Sequence, residues 1–194
     1  MKEIKIPLSK TKLIFAFIGS VLFILLGLQF IINPEKYVSY LFKSTELITI
    51  FGYISLLFIC LCLMFIVYKF FDKKPGLVIN DKGIIDNSNF GSVGLIKWNE
   101  IKGIRTHQVM SNKFLLIDVT NPEKYVQGNS KLKTYLMKMS MKMYGTPISI
   151  TSNSLKCNFD ELERVLKNEF ENKQTKNQKW NYLILNIPNK KTAL

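Results

Sequence analysis

The chain has a single histidine, His107, so a Ser-His or Cys-His nucleophilic pair would have to be built on it. No Gly-x-Ser-x-Gly elbow surrounds a serine, and neither a Walker A nor a dinucleotide glycine pattern occurs. His107 falls in a predicted strand, where a surface or edge position accounts for it. Histidine, cysteine and carboxylate residues do not gather at metal-ligand spacing. Cys60 and Cys62 would lie about 200° apart on a helix, which argues against a shared metal and makes them small hydrophobes. The reading is therefore of a protein that is not an enzyme, with no catalytic residue, no metal site and no cofactor.

The chemistry that remains is that of binding, and it is concentrated in "NSKLKTYLMKMSMKMY", residues 129–144. On a helical wheel Leu132, Tyr135, Leu136, Met139 and Met143 form one stripe. Lys131, Lys138 and Lys142 lie within about 40° of one another along its flank. Met137, Met141 and Tyr144 occupy the far side. Two readings follow. The helix packs on a β-domain with its lysines in water, or it lies at a membrane interface, methionines and leucines entering the acyl boundary while lysines reach phosphates. Methionine-rich surfaces also accept partner helices of varied shape. The candidate lipid- or partner-binding residues are Lys131, Lys138, Lys142, Met137 and Met141.

The elements that must position this stretch begin with two apolar runs. From Leu13 to Ile32, and again from Leu47 to Tyr68, the chain carries no charge. Each run gives about 30 Å of helix, the thickness of a bilayer's hydrocarbon core, so two transmembrane spans are expected, about 13–32 and 47–68. The first exceeds a signal-peptide core and ends in Asn33-Pro34-Glu35 instead of a small-residue cleavage site. Gly19 and Gly27, with Ser20, offer small residues for a contact between the spans. No ionisable residue lies inside either run, which argues against a proton or ion pathway.

Lys2, Lys5, Lys10 and Lys12 precede the first span and Lys69, Lys73, Lys74 and Lys82 follow the second, whereas the loop between them has Lys36 and Lys43. The positive-inside rule then places both termini in the cytoplasm. Cys157 would face reducing cytosol, so no disulfide framework is expected. The net charge is +13, and all basic residues but Arg105 and Arg164 are lysine. A domain tethered beside anionic headgroups gains about 1 kcal/mol per nearby lysine. Nucleic acid is not an expected partner, because no binding motif or arginine-rich arm accompanies the charge.

Beyond Pro75-Gly76 the pattern changes to short alternating runs: 77–80, 84–87, 92–98, 101–109, 113–120, 147–151 and 155–159 read as strands joined by tight turns. Asn158 with Glu161 forms a capping box, and Phe159, Leu162, Val165, Leu166 and Phe170 recur at helical spacing. Seven antiparallel strands and a C-terminal amphipathic helix make a pleckstrin-homology-like (PH-like) plan. The expected fold class is α+β: a transmembrane helical hairpin, then a PH-like antiparallel β-barrel or sandwich closed by that helix. The expected domains are a membrane anchor over 1–75, the cytoplasmic domain over 76–171 with an inserted helix at about 129–144, and a basic tail over 172–194, in which "WNYLILNIP" is an added strand or a disordered end.

Taken together, "PLSKTKLIF", the two spans, "GLVINDKGIIDNS", "GLIKWNEIKGI", "NPEKYV" and "YGTPISITSNSLKCNFDEL" resemble an uncharacterised family of small bacterial inner-membrane proteins with two N-terminal transmembrane helices and a PH-like cytoplasmic domain. The resemblance covers residue 7 to about 170. It implies the architecture and a place in the cytoplasmic membrane, and the family has no established activity to transfer. A membrane-anchored binding or scaffold protein is the expectation, with the bilayer and either anionic lipid or a protein as partner. An immunity protein against a secreted toxin or bacteriocin is the alternative.

Overall fold

The computed structural model describes residues 3–40 and 42–185. The chain forms two compact units, Ser9–Lys74 and a unit made of Met1–Leu8 together with Pro75–Leu194.

The first unit is a helical hairpin. Helix α1 runs Lys10–Ile32 and α2 runs Thr45–Phe71, each long and apolar enough to cross a membrane. Ser9 caps α1 by accepting from the Lys12 amide at 3.4 Å, and Ser44 caps α2 by accepting from the Leu47 amide at 3.5 Å. Leu13, Ser20 and Gly27, seven residues apart, are the buried positions of α1. That spacing keeps one seam turned toward a partner helix. On α2 the tight point is Gly52: a Cβ there would stand 2.9 Å from Cγ1 of Ile31 and 3.3 Å from Cβ of Phe30. Gly27 faces Ser55 and Gly52, whereas a Cβ at Gly19 would have nothing within 4 Å. The remaining faces expose Phe15, Phe23, Leu57, Phe58, Met64 and similar side chains, as a helix surrounded by acyl chains requires.

The second unit holds two antiparallel sheets. Strands β1 (Ile4–Ile6), β2 (Leu77–Ile79), β3 (Gly83–Asp86) and β4 (Gly94–Lys97) form one sheet in the order β1-β2-β3-β4. Strands β5 (Ile101–Val109), β6 (Asn112–Val119) and β7 (Ser149–Ile150) form the other in sequence order. Helices α3 (Pro122–Val126) and α4 (Lys131–Tyr144) lie between β6 and β7, and α5 runs Phe159–Leu185. Both sheets feed one core, in which Leu77, Ile79, Ile84, Ile96, Leu115, Ile117 and Ile150 are fully buried beside Leu162 and Leu166 of α5. Asn158 accepts from the Glu161 amide at 2.7 Å, so α5 starts where the capping pattern places it.

Three expectations are corrected. Residues 155–159 are not a strand: Leu155 makes an isolated bridge to Leu8 and the chain then turns into α5. Asn158 caps α5, so Phe159 at the end of this stretch already belongs to the helix. The seventh strand comes instead from β1, ahead of the first apolar helix, with Ile4 opposite Ile79 and Ile6 opposite Leu77. Without a strand at 155–159, and with β7 only two residues long, the two sheets do not close into a barrel. Finally, α5 continues through Asn172 to Leu185, so the start of the tail is helical and not an added strand. Residues 186–194 lie outside the described residues.

Ile6 and Leu8 are buried members of the core, so residues 3–8 belong to the β-domain. A soluble chain in which a short Gly/Ser linker joins residues 3–8 to 75–185 is expected to unfold cooperatively in urea. The same chain without residues 3–8 should be less stable by about 3 kcal/mol or more, through the loss of two buried aliphatic side chains and an edge strand. Equal stability of the two would remove β1 from the fold.

Candidate functional site

Helix α4 is fixed from beneath and at both ends. Asn121, accepting from the Lys124 amide at 3.4 Å, starts α3, and Asn129 then donates to the carbonyls of Tyr125 at 2.7 Å and Val126 at 3.0 Å, which sets the entry into α4. Lys133 donates to the Ser92 carbonyl at 2.6 Å. The C-terminus closes on Gly145, in the left-handed region at φ 80°, whose amide donates to the Met141 carbonyl at 2.9 Å. Ser140 donates to the Thr146 carbonyl at 2.9 Å and Thr146 to that of Ile117 at 2.5 Å, tying this end to β6. Arg105 pairs with Asp118 at 2.8 Å and also donates to the Tyr144 carbonyl. His107 lies against the rings of Phe114 and Tyr144, with centroids 5.3 and 5.1 Å away.

This framework decides which face of α4 is used for packing. Met137 is 2% exposed, and Met141 is half-buried against the core. Both were expected among the binding residues, and Met137 is unavailable for that role because it fills the core beneath the helix. The opposite stripe is open: Leu132, Tyr135, Leu136, Met139 and Met143 are all exposed, with Leu132 at 60% and Met143 at 64%. Lys131, Lys138 and Lys142 are exposed along its flank. The structure thus brings the three lysines together with the stripe and separates them from Met137.

A second concave surface was not foreseen. The β2–β3 turn is built by Asn80, whose side chain accepts from the amides of Lys82 at 2.9 Å and Gly83 at 3.3 Å. Gly83 is required here, since a Cβ would lie 2.0 Å from the Ile96 carbonyl oxygen across the β3–β4 pair. Trp98, 8% exposed, donates from its indole to the Asn80 carbonyl at 2.8 Å and so clamps this turn to the single 3₁₀ turn Trp98–Glu100. Over the indole lies an open groove of about 520 Å³ lined by Asp81, Lys82, Lys97, Asn99, Lys173 and Lys176 with Leu95. A second hollow of about 390 Å³ continues it past Trp98 to Phe170, Gln174 and Gln178. Lys82, Lys97, Lys173 and Lys176 are too scattered along the chain for any motif to link them.

The carboxylates around the groove are committed. Lys173 pairs with Asp81 at 2.7 Å, and that hydrogen bond holds the Asp81 carboxyl below its ordinary range. On the far side of the 3₁₀ turn Glu100 accepts from Lys124 at 2.6 Å and from the Tyr125 hydroxyl at 2.6 Å. Lys124 foremost, then Tyr125, lower its pKa, while burial and the Glu100 carboxylate push the Tyr125 hydroxyl up. Among the described residues no three His, Cys, Asp or Glu side chains gather as a metal site. No protein-family model, curated protein or solved structure matches this chain.

Trp98→Ala is expected to lower the urea stability of the linked soluble domain by about 3 kcal/mol or more, since it empties the floor of the groove and leaves the Asn80 carbonyl unbonded. Trp98→Phe, which keeps most of the apolar area, should cost less than half as much. Equal losses would show that the hydrogen bond, and not packing, dominates at this site.

Proposed function

We propose that the protein is a membrane-anchored, non-enzymatic binding module of the bacterial cytoplasmic membrane, whose PH-like β-domain lays α4 on the anionic surface that its own helices span. The observation that supports this is the open face of α4. Five large apolar side chains remain exposed on a helix that already packs through Met137, and three lysines run along one flank. A helix of this kind gains from apolar insertion and from lysine–phosphate attraction together. Residues 72–76 are all that separates α2 from β2, so the domain stays within reach of headgroups. A soluble partner would leave the lysine flank without this explanation.

The PH-like assignment rests on the antiparallel sheets followed by a helix whose Leu162 and Leu166 enter the core. The orientation rests on lysine placement, and the β1–β2 pairing is consistent with both ends of the hairpin emerging on one side. A reporter active only in the cytoplasm, fused after Leu194, should be active, and one active only outside should work when inserted near Val38. The reverse pattern would put the lysines on the wrong surface and remove the basis for headgroup contact.

The lipid contact has its own test. The linked soluble domain should sediment with anionic vesicles at low salt and much less at high salt. Changing Lys131, Lys138 and Lys142 together to Gln should weaken that binding by about 1 to 3 kcal/mol. Leu132→Gln with Leu136→Gln should weaken it at both ionic strengths, since apolar insertion is not screened. A wild-type domain that ignores anionic vesicles at low salt would sink the lipid reading.

A further inference from the structure

We infer that the groove over Trp98 is a binding site for a phosphate-bearing ligand, separate from the α4 face. Four lysines reach it from three elements: Lys82 from the β2–β3 turn, Lys97 from the end of β4, and Lys173 and Lys176 from α5. One carboxylate, Asp81, lines it with them and is taken up by Lys173. Lys82, Lys97 and Lys176 make no ion pair among the described residues. The other nearby carboxylate, Glu100, is held by Lys124 and Tyr125. Among the described residues the groove therefore keeps an excess of about three positive charges beyond what Asp81 balances, which favours an oxyanion with several acceptor oxygens.

Its construction is that of a preformed site. The backbone beneath the lysines is fixed by the Asn80 turn, by the Gly83–Ile96 contact and by the Trp98 indole bond, so Lys82 stands on a hydrogen-bonded turn and Lys97 at the end of the strand beside it. Lys173 is only 16% exposed and is oriented by Asp81 at 2.7 Å. A volume of about 520 Å³ is that of a small-molecule cleft, with Asn99 and, further along, Gln174 and Gln178 available for neutral hydrogen bonds. A phosphomonoester or diphosphate group fits this set. It can arrive as the headgroup of an anionic lipid or as a free phosphorylated compound.

The test uses the full chain in neutral phosphatidylcholine nanodiscs with Trp180→Phe, so that emission reports Trp98. Inorganic pyrophosphate is titrated as the free probe, and phosphatidic acid is introduced into the disc as the headgroup probe. At least one should change the emission saturably. Lys82→Gln, Lys97→Gln and Lys176→Gln together should weaken that response about tenfold or more, with circular dichroism unchanged, whereas Lys131→Gln, Lys138→Gln and Lys142→Gln should not. A response to pyrophosphate alone identifies a free phosphate compound. A response to phosphatidic acid that pyrophosphate competes away identifies the headgroup. Silence toward both probes, a loss below tenfold in the groove variant, or an equal loss in the α4 variant overturns the inference. The α4 reading is judged by vesicle sedimentation and stands or falls independently.

Discussion

The pairing of β1 with β2 is the interaction on which the rest of the arrangement depends. It joins residues on either side of the helical hairpin, setting Ile4 against Ile79 and Ile6 against Leu77. It gives β2 a neighbour on each side, which is why Leu77, Val78 and Ile79 can all be buried. It also carries Leu8 to Leu155, where Lys156 donates to the Pro7 carbonyl at 2.9 Å and the chain is turned toward α5. The helical hairpin is thus an insertion between two adjacent strands of one sheet. The chain passes between the two units twice, at Leu8–Ser9 and at Lys74–Pro75.

Helix α4 carries two apolar faces of different fate. Its buried side is narrow and filled by methionine, a flexible side chain that adapts to irregular gaps. The wider apolar side is left outside. In an isolated soluble protein that distribution would favour aggregation, and in the proposed reading it is the face that docks on the bilayer. The groove over Trp98 uses a different economy: its floor is a rigid hydrogen-bonded turn, and its charge comes from side chains that share no sequence neighbourhood.

Much of this was legible in the sequence, for reasons tied to length and locality. The two apolar helices are each over twenty residues, and the Asn158–Glu161 cap acts within one turn, so both could be read locally. The α4 stripe and its lysines were legible from helical period. Which face packs was not, because Met137 and Met141 are as apolar as the residues they oppose, and periodicity cannot rank two apolar faces. β1 was hidden because three residues, one of them Lys5, carry little pattern and their partner lies beyond the whole hairpin. The false strand at 155–159 has the opposite cause: Leu155 and Phe159 alternate correctly, but the first is a single core plug and the second already belongs to a helix. The groove escaped because it exists only once Lys82, Lys97 and α5 are brought together.

The split sheet also orders events in time. Ile4–Ile6 leaves the ribosome first, and its partner Leu77–Ile79 follows after 70 intervening residues, a delay on the order of 4–14 s at ordinary rates of synthesis. A three-residue strand has no stability of its own over that interval. When β2 emerges, β1 must still be on the side from which it started. In the proposed topology the antiparallel hairpin would do this by returning the chain to the side it left, which would turn the closure of a long loop into a local encounter. If the hairpin crosses a bilayer as proposed, sheet assembly would read out its insertion: a chain whose first helix entered the wrong way would lose β1 across the membrane and leave the outer edge of β2 unpaired.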